Sequence, residues 1–362
     1  MPDVTTDPTP IDKLELFSKE QLEKFPIFGE PDYSPLLDAI RDERLIVFYG
    51  AGVSRLGGCA SWIELAQTII ESMPSELFSK LEKTVLREMA EYKARDVISI
   101  CHERAQIKPE YLKIYHDAII RSVTPDPGKS DVLLKIYTLL LELKPVAFIT
   151  TNIDKLIENL GSKLKGRRIF NVVDKKDEDF SVLDSFAQGA PDASRTVGET
   201  SIDSDGYGLC NGNIFYLHGS ITRVQGAVLG INQYIEHYYR QKDASNFLKK
   251  VFAEDYTVLF IGYGLEEYEV LQNIYLAVNK KTSQSAEARE FKHFILTGIY
   301  TSEIAKFNIQ RNYFNMFSVC PIPYFIDHAG HSKLFEVLEK LIPLARECRA
   351  ALDKIKLIKK TT

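Results

Sequence analysis

Cysteine is sparse and scattered in this chain. The five, at Cys59, Cys101, Cys210, Cys320 and Cys348, include no C-x-x-C pair, which excludes a dithiol redox motif or half a zinc site of the usual spacing. They read as reduced thiols. No apolar run approaches the roughly 20 residues needed to cross a bilayer. The Pro- and Asp-containing start also lacks the basic-then-apolar layout of a secretory signal. A cytoplasmic protein without membrane association is expected. Charge of one sign is not in excess either: 45 basic against 50 acidic residues leave −5, so nucleic acid is not expected as a direct partner. Internal repeats and low-complexity segments are absent. What is present is ordinary: 362 residues, 45% hydrophobic and 26% charged, enough for two domains or for one large α/β domain with insertions.

Prolines mark the first boundary. Residues 1–35 hold Pro2, Pro8, Pro10, Pro26, Pro31 and Pro35, and each removes a backbone donor and fixes φ, so an irregular arm outside the core is expected. The run Leu45 to Tyr49 then meets Gly50-Ala51-Gly52, the pattern of a strand buried on both faces. Ser61 precedes apolar residues at helical spacing (Trp62, Leu65, Ala66, Ile69, Ile70) and reads as an N-cap. Residues 73–143 contain no strand-like run and read as an inserted helical module.

Pro145 to Thr150 restores the strand pattern, and Ile153, Leu156, Ile157 and Leu160 predict a helix ending near Gly161. A short strand over 168–173 opens a Ser-, Asp- and Gly-rich stretch, 174–212, read as a long loop or lid. Further strand-like runs are 214–217, 257–261, 291–296 and 319–326, with helical patterns at 245–252, 267–278 and 331–342 and a last helix beyond Pro343. Strands alternating with helices predict a Rossmann-like, doubly wound parallel sheet. The expected organisation is thus an arm (1–35), an α/β domain (36–330) and a C-terminal helical extension (331–362). The lysines at 354, 356, 359 and 360 read as a solvated helix end.

In such a sheet ligands bind beyond the carboxyl ends of the strands. The first strand is followed by Gly50-Ala51-Gly52-Val53-Ser54, where glycines could let backbone N–H groups approach a pyrophosphate, or could simply make a tight turn. The second delivers Thr150-Thr151-Asn152-Ile153-Asp154, for which helix capping is the plain explanation. Leu217 runs into His218-Gly219, and Ile261 into Gly262-Tyr263-Gly264. Each segment has a structural explanation alone; together they favour a nucleotide site.

These segments, in this order, resemble the sirtuin family, specifically the bacterial sirtuin-like domains of antiphage defence systems. The resemblance spans about residues 36–340 and rests on Gly50 to Ser54, Thr150 to Asp154, Leu217 to Gly219 and Gly262 to Gly264. It implies that these segments surround one NAD+ molecule: Gly50, Ala51, Gly52, Ser54, Thr151, Asp154, Gly262, Tyr263 and Gly264 bind it, and Asn152 and His218 are catalytic. Residues 219–261 contain no cysteine, whereas a sirtuin deacylase carries a four-cysteine zinc ribbon there, so no zinc is expected. The loop after Ser54 lacks the Pro-Asp-Phe-Arg run of deacylases, and Gly264 stands where a serine is usual.

Both of the first two departures resemble relatives that hydrolyse NAD+. The expected activity is therefore NAD+ glycohydrolase, yielding nicotinamide and ADP-ribose and depleting NAD+ in antiphage defence. The expected state is a homo-oligomer, with a HerA-like ATPase or another defence-system partner as a candidate trigger. The competing readings are an NAD-dependent protein deacylase or ADP-ribosyltransferase, and a non-catalytic scaffold that binds NAD or ADP-ribose.

Overall fold

The computed structural model describes residues 33–173 and 212–361, apart from 254, 266, 282–290 and 329, together with the isolated Glu20, Lys24 and Leu209. Most of the expected arm and of the expected 174–212 loop lies outside the described residues. At the arm's inner end the core starts earlier than Pro35 suggests. Tyr33 is buried, and Ser34–Arg41 forms α1 with the proline in its first turn, where a missing N–H costs nothing.

Among the described residues seven parallel strands form one sheet in the order β3-β4-β2-β1-β5-β6-β7: β1 Leu45–Tyr49, β2 Ala147–Thr150, β3 Ile169–Asn171, β4 Asn213–Tyr216, β5 Thr257–Ile261, β6 His293–Ile299 and β7 Val319–Phe325. This is a Rossmann-like α/β fold. β6 sits two residues later than the apolar run at 291 suggests, because its ladder with β7 extends to Ile299 opposite Phe325. The chain leaves β1 for β2, β4 and β3 on one side and returns to β5 on the other. The topological switch point therefore lies between β1 and β5.

Burial on both faces explains the apolar runs. Leu45, Val47 and Tyr49 point to one layer, and Ile46 and Phe48 to the other. The first layer holds α1, α6 (Ser130–Glu142), a 3-10 helix over Leu156–Leu164 and α11 (Lys333–Thr361). The second holds α7 (Ile231–Tyr234) with its π-helical continuation Ile235–Arg240, α8 (Asp243–Ala253) and α9 (Tyr268–Lys281). Each fully buried Ile, Val or Phe here stabilises the fold by about 2 kcal/mol.

A third apolar cluster joins α3 (Trp62–Ser72), α4 (Lys80–Ala105) and α5 (Pro109–Val123) to Ile153, Val224, Ala227 and Leu229. Those last residues follow β2 and β4, so the three helices cover the carboxyl rim of the sheet. Ser61 caps α3 as expected: its Oγ accepts from Glu64 N at 3.2 Å, and Glu64 Oε2 accepts from Ser61 N at 2.6 Å. Ser79 and Glu82 repeat this capping box on α4.

Two helix expectations need correction. The segment after β2 is 3-10 rather than α and runs past Gly161, which takes φ 49 and divides it; its buried Leu156, Ile157, Leu160 and Leu164 all still face the core. Pro343 does not separate two helices, because α11 continues through it. Leu341, Ile342, Ala345 and Cys348 are buried on both sides of the proline, and that packing outweighs one lost backbone hydrogen bond. No helix among the described residues is long and apolar enough to cross a membrane.

A candidate site on the carboxyl rim

Register brings the four motifs to one level. Tyr49 pairs with Thr150 and Ile261, and Thr150 pairs with Tyr216, so β4, β2, β1 and β5 end side by side. Two residues beyond that row stand His218, Asn152, Ala51 and Tyr263. Neighbouring strands lie about 4.8 Å apart, so Asn152 and His218 leave the sheet from adjacent strand ends. The backbone continues this pairing, with Leu217 N donating to Thr150 O at 2.8 Å.

The two glycine turns meet each other. Ala51–Arg55 is a short helix, α2, with Gly50 at its N-cap at φ −125, so the turn needs no left-handed glycine. What it needs is room. A Cβ on Gly52 would lie 2.8 Å from Gly262 Cα, and one on Gly50 would lie 2.8 Å from Gly262 O. Gly262 itself takes φ 60, and a Cβ there would meet Val53 N at 2.6 Å. The two turns thus pack backbone to backbone at the switch point. Gly50 N donates to Ile261 O (3.1 Å), Gly52 N to Gly262 O (2.8 Å) and Val53 N to Gly50 O (3.0 Å). Gly264 is exposed and has no part in this contact. Ala51 and Thr151 are half-buried on the rim.

Ser54 joins the first two motifs. Its hydroxyl donates to Asp154 Oδ2 at 2.7 Å and accepts from Asn152 Nδ2 at 2.9 Å. Tyr137 OH lies 3.2 Å from the same oxygen, and because Ser54 has only one hydrogen, Tyr137 is the donor there. Asp154 Oδ1 accepts from Leu156 N at 3.2 Å, which is the expected capping role, and Asn152 N donates to Thr150 Oγ1 at 3.0 Å. Burial raises the Asp154 carboxyl, and the hydrogen bonds from Ser54 and Leu156 N oppose that rise. The same burial, with Asp154 nearby, pushes the Cys59 thiol up to about 12.

His218 belongs to a second group, on the other face of the rim. It is 0% exposed. Nε2 lies 2.8 Å from Tyr238 OH and 3.7 Å from Glu267 Oε2, and Nδ1 lies 3.4 Å from Tyr234 OH. Tyr263, one of the expected binding residues, donates to Glu267 Oε2 at 2.9 Å, and its ring rests 4.7 Å from that of Phe48. Burial, and after it the charges of His237 and Arg95, lower the His218 pKa well below the usual histidine value. The imidazole is therefore neutral. Tyr234 uses its hydrogen on Glu267 Oε1 at 3.2 Å. We therefore assign His218 the tautomer with Nδ1 protonated toward Tyr234 and Nε2 accepting from Tyr238.

The structure thus brings Ser54, Asn152 and Asp154 into one hydrogen-bonded group and His218 and Tyr263 into another, with the interlocked glycine turns beside both. Tyr137, Tyr234, Tyr238 and Glu267 are members that sequence reasoning missed. Glu267 carried only the signal of a carboxylate near a helix start. Among the described residues no cluster of His, Cys, Asp and Glu could hold a metal ion, and Cys59, Cys101, Cys320 and Cys348 are buried and form no disulfide.

No curated protein matches the chain. A family model described as SIR2-like domain matches residues 146–310, a stretch that contains Asn152, Asp154, His218 and Gly262 but begins after the Gly50 turn. Over residues 146–310, from the approach to β2 into α10 (Ile304–Asn315), the chain is similar to the SIR2-like domain family and through it to the sirtuin-like superfamily.

Proposed function

We propose that the protein is an NAD+ glycohydrolase that cleaves the bond between nicotinamide and ribose, and that it serves antiphage defence by depleting NAD+. The observation that carries this reading is the emergence of an amide, a carboxylate and a neutral imidazole from adjacent strand ends, within the stretch similar to SIR2-like domains. The donor set fits a dinucleotide substrate: hydroxyl, amide, carboxylate and imidazole groups suit a sugar and a carboxamide. The fit is weaker for the pyrophosphate, because Gly50, Gly52 and Val53 already use their amides on backbone carbonyls.

Cleavage places positive charge on the ribose anomeric carbon, and the bonding pair leaves with nicotinamide and neutralises its ring. No strong acid is needed for that departure; positioning does most of the work. Asp154 would read the nicotinamide carboxamide. Asn152, its side chain already oriented by Ser54, would hold a ribose hydroxyl or the attacking water. His218 Nε2 would take the proton that the ribose hydroxyl or the water gives up. A neutral imidazole is suited to that task. Tyr238 covers Nε2 in this structure, so substrate entry requires the Tyr238 side chain to turn aside while Tyr234 keeps its place.

The test is a product analysis. Purified protein is incubated with NAD+, alone, with lysate from phage-infected cells, and with an acylated peptide, and nicotinamide, ADP-ribose and acyl-ADP-ribose are separated. Peptide-independent ADP-ribose supports the reading. Acyl-ADP-ribose would make the protein a deacylase, and NAD+ binding without turnover in every arm would make it a scaffold.

A further inference from the structure

We propose that Glu267 is the positioning carboxylate of His218, lying against the basic Nε2 and balancing the charge that the imidazole gains on accepting a proton. The inference rests on the glycohydrolase reading for its chemistry and on the geometry for its residue. Glu267 is 7% exposed. Its Oε2 lies 3.7 Å from His218 Nε2, and its two oxygens are held by Tyr263 OH at 2.9 Å and Tyr234 OH at 3.2 Å. The carboxylate is therefore fixed rather than loose. A buried imidazolium without a counter-charge is strongly disfavoured, and the electrostatic effects of His237 and Arg95 oppose its formation. Glu267 is the only carboxylate among the described residues that an ion-pair contact joins to His218.

In the step itself, an O–H bond of the ribose hydroxyl or water breaks as an N–H bond forms at Nε2. The imidazolium then faces Oε2, and the proton later leaves to solvent. The titratable groups acting on Glu267 are Arg95 from α4, Tyr234 and Tyr238 from α7 and its π-helical continuation, Tyr263 from the loop after β5, and Glu269 from α9, and His237 acts on His218. Burial raises the Glu267 pKa to about 7 and Glu269 adds to the rise, against the pull of Tyr263, Arg95 and Tyr234. Below that value Glu267 is neutral and cannot balance the imidazolium. The rate should then rise with pH through about 7.

The test compares wild type, Glu267→Gln and Glu267→Asp by nicotinamide release across pH and by nitrogen NMR of the His218 ring in the ligand-free protein. Glutamine keeps the shape and removes the charge, and aspartate keeps the charge on a shorter arm. Glu267→Gln should release nicotinamide ~100-fold more slowly and lose both the rise in rate and the His218 resonance shift near pH 7, while Glu267→Asp keeps both at reduced amplitude. If Glu267→Gln fails to fold, the aspartate variant and the wild-type resonance shift decide. A folded Glu267→Gln protein with wild-type rate and pH profile overturns the proposal. Should wild type release no nicotinamide in any arm, the glycohydrolase reading fails. The NMR shift then decides separately whether Glu267 and His218 titrate as a pair, and its absence in wild type overturns the pairing.

Discussion

The Ser54 hydroxyl donates to Asp154 Oδ2 across 2.7 Å, although the two residues stand 100 positions apart. That bond fastens the turn behind β1 to the segment behind β2, and because Asn152 donates to the same Ser54 oxygen, one hydroxyl orients both an amide and a carboxylate. Ser54→Ala leaves all three partners short of a bond inside the protein. We expect a stability loss of about 1–3 kcal/mol by urea denaturation. NAD+ cleavage should fall further than that loss explains, since the Asn152 amide loses its Ser54 partner.

The interlocked turns make a structural prediction. Gly52→Ala places a methyl group 2.8 Å from the Gly262 backbone, and Gly262→Ala adds a strained φ of 60 to a 2.6 Å clash with Val53 N. Neither neighbour is a flexible side chain that can step aside. Each variant should lose about 1–3 kcal/mol or more, with Gly262→Ala the worse. Gly264→Ala, at an exposed position outside the contact, should match wild type in thermal melting.

How much of this was legible in the sequence follows from the range of each interaction. β1 and β5 were plain because a strand buried on both faces must be apolar throughout, and Ser61 was plain because a capping box closes within four residues. The strand-end motifs were found, but the packing of Gly50 and Gly52 against Gly262 was not. A glycine that admits a ligand and one that admits another backbone turn are identical in sequence. Tyr137 reaches Ser54 from 83 residues away and Glu267 meets Tyr234 from 33; such contacts depend on the assembled rim and leave no local pattern. Gly161 and Pro343 read as helix ends because local propensity ignores the buried leucines and isoleucines that carry each segment past them.

Stability should depend on pH through Glu267. Its folded pKa of about 7 stands above the ordinary 4.5, so the stability that the protonated carboxyl contributes is complete below about 4.5 and disappears as pH rises to about 7. The loss amounts to about 3 kcal/mol, at 1.36 kcal/mol for each pKa unit. Glu267→Gln should therefore be more stable than wild type at pH 8 and no more stable at pH 4, as read by urea midpoints.

His293 acts in the opposite direction. Its Nδ1 accepts from Val258 N at 3.2 Å, and burial lowers its pKa to about 3. The unfolded chain takes up the proton first, so stability is complete above about 6.5 and falls as pH drops toward 3, with about 2 kcal/mol gone by pH 5. His218 shifts in the same sense. The fall between pH 7 and 5 should be shallower in His293→Leu than in wild type, measured as the change in urea midpoint between the two pH values so that the lost Val258 bond cancels.

The central claim is that Asn152 and His218 serve one reaction from neighbouring strand ends. The most direct measurement is nicotinamide release from NAD+ by folded wild type, Asn152→Ala and His218→Ala proteins under the condition in which wild type is most active, with circular dichroism verifying each fold. The account predicts turnover in wild type and a loss of at least ~100-fold in each variant. Unchanged turnover in both folded variants would contradict it.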